Sequence, residues 1–339
     1  MASCVTKALR RVFFYILPYG ILRLLGHKLE NKTEKNAHEP LITMYCEPQP
    51  VLFNTEGSRV KLVYLQDKHL AHRPYTYRDC TYILWDRYAY GLDTHVYTHR
   101  DALAVKGNPR VKHAWLLEPP VITPGDYEVF YENPGWCAEF DAIFTHEERM
   151  LNAVPNARFL PGCANVWYGS DFGGGELSDH AYERKSKNIS VLASNKGFCE
   201  MHRVRVGLAT FAQGTGKVDG FGAFAGGPRV DKVAEALTDY RYSIAIENSV
   251  SDFYFTEKIT NCFAAMTVPI YIGARRIGDF FNTDGIIQVP SCDEAALEQA
   301  IDQCGPEDYA ARLEAIQDNY RRVQGYLSIE KYFIEQGLL

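Results

Sequence analysis

Several features that mark other classes of protein are missing from this chain of 339 residues. Its nine cysteines include no Cys-x-x-Cys pair, which excludes the usual zinc and iron–sulfur spacings, and their odd number disfavours a disulfide scaffold. The formal net charge of −6 disfavours a nucleic-acid-binding protein, which usually presents a basic face. No internal repeat occurs, so a solenoid is excluded.

A long apolar run is also missing, and this bears on residues 1–28. The run at residues 12–22 stops at Arg23 and is far shorter than the roughly 20 residues of a membrane-spanning helix. No small-residue cleavage site follows it, so a secretory signal does not fit. Lys7, Arg10 and Arg11 precede it, which favours an interfacial membrane segment. The alternative is a helix packed on the body of the protein.

The length of 339 residues is enough for two domains of ordinary size. The composition, with 46% hydrophobic and 23% charged residues, is that of a soluble globular protein. A polar stretch at 29–40 and a glycine-containing stretch at 169–187 predict linkers. We therefore expect an N-terminal α/β domain over 41–168 and a ligand-binding α/β domain over 188–304. Residues 305–339 are expected to form a C-terminal helix that begins at Pro306.

In the first predicted domain, polar residues follow apolar strands. Strands are expected at 61–65, 111–117 and 140–144, and ligands of open α/β sheets bind beyond the carboxyl ends of strands. Glu118 ends the strongly apolar second strand, where partial burial would raise its pKa towards the range useful for a general base. Glu147 and Glu148 follow the third strand and are the alternative bases.

Residues 241–273 carry the most informative pattern. An alternating strand at 242–246 stops at a polar elbow, Thr256 can cap a helix, and a second strand returns at 268–272. Lys258 lies in the first turn of that helix, at the unfavourable end of the helix dipole. A bound anion would remove this conflict, and so would an ion pair with Glu257 or Asp252.

Other elements of this half are less distinctive. Strands are expected at 189–193 and 218–222, and a helix from about Glu200 carries Arg203 and Arg205, which point in different directions. Ser291 and Glu294 fit a capping box. In the first half, His95 and His99 have a metal-ligand spacing on a helix, but the residues around them alternate like a strand.

The polar residues of the 241–273 segment resemble the donor-binding motif of glycosyltransferase family 10, the α1,3/4-fucosyltransferases. The matching blocks are Glu247-Asn248-Ser249, residues 254–258 (YFTEK) and residues 268–273 (VPIYIG). The family usually has Phe where this chain has Ile246. The likeness is strongest over 189–290 and moderate over 111–165.

The resemblance implies an α/β fold of the GT-B type, with two Rossmann-like domains facing a cleft. It implies four residues that contact the GDP-sugar: Asn248, Tyr254, Glu257 at the ribose and Lys258 at the phosphates. It also implies that Glu118 is the catalytic base and that Trp115, three residues earlier, forms a wall of the site.

A helix arginine is expected to bind the diphosphate. The His-x-x-Arg spacing of the family from His202 selects Arg205, whereas Arg203 is the alternative. Met201 stands where the family has Gly, which leaves the local register open.

The predicted activity is inverting transfer of fucose from GDP-fucose to a hydroxyl group of a glycan or glycolipid acceptor. The alternatives are another GDP-sugar, a non-catalytic glycan- or nucleotide-binding module, and a membrane-bound scaffold. No Asp-x-Asp motif occurs, so no metal cofactor is expected to be required, although divalent ions could stimulate transfer. We expect the protein in the cytoplasm or at the cytoplasmic membrane face, or at the Golgi membrane if the source is eukaryotic.

Overall fold

The computed structural model describes residues 61–66, 83–86, 90–99, 102, 107–162, 166–167, 177–226 and 230–339. The expected interfacial segment at 1–28 and the linker at 29–40 lie outside these residues. Among the described residues, no helix combines the length and the apolar character needed to cross a bilayer.

The first half contains a six-stranded parallel sheet with the order β2-β1-β3-β4-β5-β6. Its strands are β1 (Lys61–Gln66), β2 (Ile83–Asp86), β3 (Thr94–Thr98), β4 (Val111–Trp115), β5 (Ala142–Thr145) and β6 (Ala157–Phe159). Its helices are α1 (Pro124–Glu132), α2 (Pro134–Cys137) and α3 (Glu148–Ala153). The strand expected at 111–117 ends at Trp115, although the Leu116 amide still donates to the Phe144 carbonyl.

The second half contains a five-stranded parallel sheet with the order β11-β10-β9-β7-β8. Its strands are β7 (Lys187–Leu192), β8 (Val218–Phe221), β9 (Tyr240–Ile246), β10 (Val268–Ile272) and β11 (Ile287–Gln288). The helices that accompany it are α4 (Glu200–Gly214), α5 (Glu257–Ala264) and α6 (Glu294–Asp302). The strand, helix and strand predicted over 241–273 are therefore β9, α5 and β10.

Burial explains why β9 and β10 form the centre of this sheet. Every residue of β10 is buried, as are all of β9 except Arg241, which is the pattern of a parallel strand covered on both faces. Apolar side chains from both strands pack with α4 on one face and with α5 on the other. Thr256 caps α5 as predicted, since its hydroxyl accepts from the Lys258 amide.

The C-terminal region departs from the single helix expected from Pro306. It forms α7 (Pro306–Ala311), α8 (Leu313–Val323) and α9 (Ile329–Glu335). Ser328 starts α9 by accepting from the Lys331 amide, after a short 3₁₀ turn at Gln324–Tyr326. The cap of α6 also differs from expectation, because Asp293 rather than Ser291 accepts from the Ala296 amide.

Helix α9 leaves the second half and packs on the first sheet. Phe333 contacts Trp85, Trp115 and Phe144 at ring-centroid distances of 5.0–6.1 Å. The Trp85 indole donates to the buried Glu330 carboxylate at 2.6 Å. The last helix of the chain therefore completes the core of the N-terminal domain.

Candidate functional site

The strand order of the second sheet identifies where a ligand would bind. Going outward from the middle, the chain turns one way from β7 to β8 and the other way through β9, β10 and β11. Open α/β sheets bind ligands at such a switch point, beyond the carboxyl ends of the two strands. Ser194 follows β7 there, and Glu247 and Asn248 follow β9.

Arg205 of α4 connects the two strand ends. One of its guanidinium nitrogens donates to the Asn248 side-chain oxygen at 2.7 Å and another donates to the Ser194 hydroxyl at 3.3 Å. Its Nε is buried without a partner among the described residues. Burial lowers the pKa of Arg205, although nearby carboxylates oppose this effect. The guanidinium is therefore held in place, and one of its donors is not used by any described residue.

Arg203, the alternative to Arg205, points elsewhere. It is exposed, and its guanidinium reaches only the Gly197 carbonyl, at 3.4 Å. Met201, which stands where the family has glycine, packs on the core of the second sheet. The structure therefore selects Arg205 as the arginine at the switch point.

Glu247 is the buried centre of the cluster, with no exposed side-chain surface. Its carboxylate accepts from the Thr256 amide at 2.8 Å and from the Thr256 hydroxyl at 2.7 Å. It also lies 3.3 Å from the Lys258 ammonium. Burial raises the pKa of Glu247, and the Lys258 charge opposes that shift. Glu247 thus joins the end of β9 to the first turn of α5.

Lys258 is paired with two carboxylates. Its ammonium lies 3.3 Å from both Glu247 and Glu257 and 3.0 Å from the Thr256 hydroxyl. Burial acts to lower its pKa, but the two carboxylates outweigh burial and raise it. Burial acts to raise the pKa of Glu257, whereas Lys258 and hydrogen bonds lower it.

These contacts bear on the two explanations of the first-turn lysine. Lys258 forms the expected ion pair with Glu257 and a second one with Glu247. The two carboxylates together offset the unfavourable interaction of the lysine with the helix dipole. The side chain of Lys258 is still 22% exposed and that of Glu257 is 23% exposed. Both can therefore be reached by a ligand.

Tyr254 is buried rather than open to the switch point. Its ring lies 4.6 Å from the His146 ring of the first half. Gly162 lies against the same ring, because a Cβ at that position would come within 2.5 Å of Tyr254 Cε2. Direct contact between Tyr254 and a donor sugar stays a prediction.

Glu118 lies after β4 and is partly buried. Its carbonyl accepts from the buried Tyr127 hydroxyl at 2.7 Å, and the Pro119 carbonyl accepts from the amides of Ile122 and Thr123. Its carboxylate makes no hydrogen bond within the described part of the chain. The backbone is thus fixed while the carboxylate is available for chemistry.

The alternative bases are in less suitable places. The Glu147 carboxylate caps α3 by accepting from the Met150 amide at 2.6 Å, and it also accepts from the Tyr131 hydroxyl. Glu148 is exposed at the start of α3. Glu147 therefore has a structural role that Glu118 lacks.

Trp115 is a core residue in this structure. It is 7% exposed, its ring stacks on Trp85 at 6.3 Å, and Phe333 meets it edge-on. These contacts place the side chain beneath α9, so its predicted place in the wall of a site gains no support from them.

The first histidine of the pair at 95 and 99 lies in a strand, as the alternation indicated, and the second directly follows it. His95 is in β3 with its Nδ1 2.6 Å from the Tyr97 hydroxyl, and His99 follows the strand with its Nδ1 2.8 Å from Asp126. Over the described residues, no group of His, Cys, Asp and Glu has the arrangement of a metal site.

Sequence reasoning gave no role to three residues that the structure makes central: Glu247, Ser194 and His146. Glu247 belongs to the motif, but its function as a hub depends on complete burial. Ser194 and His146 were visible only as polar residues after strands. The strand order, which shows which strand ends are neighbours, is the signal that selects them.

Comparison with known proteins gives matches to the half of the chain that contains this site. Residues 182–333 match the model of glycosyltransferase family 10 (fucosyltransferase) C-terminal domain. This match extends beyond the 189–290 segment in which the resemblance is strongest and includes α7, α8 and most of α9. A Bos taurus protein named GDP-fucose protein O-fucosyltransferase 3 is 31% identical over 91 residues. That match covers 27% of this chain and 17% of the bovine protein.

Solved structures give the fold. Sucrose-phosphate synthase from Thermosynechococcus elongatus has a TM-score of 0.50 at 13% identity, covering 74% of this chain and 73% of that one. An α1,3-fucosyltransferase crystallised with GDP-fucose has a TM-score of 0.49 at 14% identity, covering 81% of this chain and 91% of that one.

The two parallel α/β sheets and the likeness to sucrose-phosphate synthase confirm the predicted GT-B architecture. The family match begins before β7 and contains the whole switch-point cluster. Residues 182–333, less than half of the chain, therefore match the C-terminal domain of glycosyltransferase family 10, the fucosyltransferase family, and this match supports a glycosyltransferase enzyme.

Proposed function

We propose that this chain transfers fucose from GDP-fucose to a hydroxyl group of a glycan, with inversion at the transferred carbon. The observation that carries the proposal is the cluster of Arg205, Asn248, Glu247, Glu257 and Lys258 at the switch point of a family 10 domain. Fucosyl transfer is the activity of that family, so the chemistry of the cluster and the family agree.

The donor would be bound mainly through its diphosphate. Arg205 is fixed by Asn248 and Ser194 and retains an unpartnered Nε among the described residues, so a phosphate oxygen can accept from it. The partly exposed side chain of Lys258 could exchange one of its partners for the same group, and the first-turn amides of α5 add positive potential. These fixed cations would stabilise GDP as it leaves, without a metal.

The acceptor would be activated by Glu118. Inverting transfer needs one base, which takes the proton of the attacking hydroxyl as the bond from fucose to the diphosphate breaks. Glu118 has a fixed backbone and a carboxylate without a hydrogen-bond partner in the described residues. Its strand ends beside β5, whose own end contacts the Tyr254 segment.

A protein hydroxyl is the second candidate acceptor. The observation in its favour is the match to the bovine relative, whose name states that it fucosylates protein. The two acceptor classes are distinguished by supplying the enzyme and GDP-fucose with either oligosaccharides or folded protein domains. Incorporation of labelled fucose into only one class identifies the acceptor.

Calorimetric titration tests the donor. We expect GDP-fucose to bind more tightly than GDP-mannose, and UDP-sugars to bind far more weakly. Transfer is expected to persist in EDTA, and complete loss that a divalent ion restores would overturn the metal-free proposal. Tighter binding of another GDP-sugar would replace fucose as the donor. Binding of GDP-fucose without transfer to any acceptor would support a non-catalytic binding module.

A further inference from the structure

Three strand ends of the first sheet meet one residue of the donor-side domain. Leu117 follows β4, His146 follows β5 and Gly162 follows β6, and these strands are neighbours in the sheet. His146 and Gly162 lie against Tyr254, which stands two residues before the Thr256 cap of α5, and the Leu117 carbonyl contacts His146. This junction connects the residue before the predicted base with the segment of the predicted donor site.

His146 makes one contact within the first half and one with the second half. Its Nε2 lies 3.1 Å from the Leu117 carbonyl, which can only accept, so the ring donates from Nε2 to the residue that precedes Glu118. Its ring lies 4.6 Å from the Tyr254 ring, at an interplanar angle of 51°. Burial lowers the pKa of His146 to about 4, so the neutral ring makes both contacts near neutral pH.

Gly162 shows that the approach of Tyr254 is tight. A Cβ on Gly162 would lie 2.5 Å from Tyr254 Cε2 and 3.4 Å from the Leu117 carbonyl oxygen. Only a residue without a side chain leaves room for the tyrosine ring beside the end of β4. The position of Tyr254 is therefore defined by both His146 and Gly162.

From Tyr254 the connection continues to the ion-pair cluster. The Tyr254 amide donates to the Ser251 hydroxyl at 3.2 Å, which orders the loop after β9. Two residues later, Thr256 binds the Glu247 carboxylate through both its amide and its hydroxyl. A displacement of Tyr254 would thus also shift the positions of Glu247 and Lys258.

We propose that His146 is a positioning residue that sets Glu118 through its hydrogen bond to Leu117 and sets the donor-binding segment through its ring contact with Tyr254. It touches neither substrate, because it is buried. The proposal rests on the proposed function, since it assigns effects to the base and to the donor site. Each of its two contacts can be removed separately.

Two substitutions separate the contacts. His146→Phe keeps a ring against Tyr254 but cannot donate to Leu117, whereas His146→Gln can donate but has no ring. We expect His146→Phe to lower kcat on the order of 10- to 100-fold while the Kd for GDP-fucose stays within about twofold of wild type. We expect His146→Gln to raise that Kd about threefold to tenfold with a smaller effect on kcat.

Matched controls complete the experiment. His180 is exposed, with 66% of its side-chain surface accessible, so His180→Phe and His180→Gln should leave kcat and Kd unchanged. Gly162→Ala displaces Tyr254 without touching His146, and it should raise the Kd as His146→Gln does. It keeps the proposal testable if His146→Phe fails to fold.

The proposal is supported if His146→Phe mainly lowers kcat and His146→Gln mainly raises the Kd for GDP-fucose. Folded variants with wild-type kcat and Kd would overturn it. A lower kcat and a higher Kd of equal size in both variants would also overturn it, because this result indicates a purely structural role. Wild-type protein is measured first for GDP-fucose binding and transfer. If it shows neither, the proposed function fails; if it shows both, the variants test His146 alone.

Discussion

At the residue scale, the switch-point cluster balances two cations, Arg205 and Lys258, against two carboxylates, Glu247 and Glu257. The two cations differ in how many of their hydrogen-bond donors are already used. Arg205 has a nitrogen without a partner in the described residues, whereas each of the three acceptors around Lys258 is within hydrogen-bonding distance. Arg205 therefore has one donor that no described residue uses, and Lys258 would have to exchange a partner to reach an anion.

This difference makes Arg205 and Arg203 a matched pair for substitution, two residues apart on α4. Arg205→Ala should weaken GDP binding by about 10- to 150-fold, because a hydrogen bond to a charged group contributes roughly 1.5–3 kcal/mol. Arg203→Ala should leave the affinity unchanged, because its side chain is exposed and reaches only the Gly197 carbonyl. Calorimetry with GDP on both variants decides, and equal losses would contradict the assignment.

Lys258→Ala should reduce stability as well as GDP affinity. It leaves the fully buried Glu247 without its cation, and removing one partner of a buried ion pair typically costs about 3–5 kcal/mol. Thermal unfolding without ligand measures this loss, with Lys217→Ala as control because Lys217 pairs with Asp302 on the surface. An unchanged melting temperature would show that Glu247 does not depend on Lys258.

At the scale of elements, the site is formed where β9, α5 and β10 meet. Gly273 follows β10 and lies against Glu247, so a Cβ there would come within 2.6 Å of the Glu247 Cγ. Neither neighbour can give way, since Tyr271, the other side chain in contact, is itself buried and hydrogen-bonded to the Ala274 amide. The end of β10 thus restricts where the hub carboxylate can lie.

Gly273→Ala should therefore lower the melting temperature and weaken GDP binding together. Gly207 in α4 is the control, because a Cβ there meets no atom within 4 Å and alanine favours a helix by about 0.5–1 kcal/mol. Gly207→Ala should keep or slightly raise the melting temperature. Wild-type affinity in Gly273→Ala would show that the contact with Glu247 is relaxed without cost.

Local patterns explain how much of these elements sequence alone could predict. The strand, cap, helix and strand of 241–273 follow from alternation and from one threonine, and the structure confirms them. The cap of α6 was misassigned because Ser291 and Asp293 both can cap, and only the backbone decides between them. Glu247 and His146 were missed because their roles depend on burial and on which strands are neighbours, which no local pattern contains.

At the scale of the whole molecule, α9 connects the two halves by packing on the first sheet. It follows the helices of the donor-side domain, yet its apolar face fills the core beneath the first sheet. Trp85 and Glu330 add a buried hydrogen bond to this contact. A single continuous helix from Pro306 could not bring the chain back from the second half to the first sheet. Sequence periodicity does not show on which surface a helix packs.

The Trp85–Glu330 contact predicts a pH dependence of stability. Burial raises the pKa of Glu330, with the Trp85 hydrogen bond opposing the shift. The folded state therefore holds the proton more tightly than the unfolded state. The resulting stability is present below the ordinary glutamate pKa of about 4.3 and is lost as the pH rises through the raised value.

Glu330→Gln should remove this dependence, since an amide oxygen still accepts from the indole but does not ionise. The free energy of unfolding of Glu330→Gln relative to wild type should rise with pH above about 4.3 and then level off. Urea unfolding across this range measures it, with Glu335→Gln as a surface control on the same helix. A difference that does not change with pH would contradict the burial of an ionising Glu330.

The division of labour between the halves is the central claim, and Glu118→Gln tests it most directly. Glutamine keeps the size of the side chain but cannot accept the proton of the acceptor, and general-base catalysis typically contributes roughly 10²–10⁴-fold. Turnover and GDP-fucose affinity are measured on one preparation. We predict a fall in kcat of about that size with an unchanged Kd. Retained turnover, or loss of GDP-fucose binding along with turnover, would contradict the account.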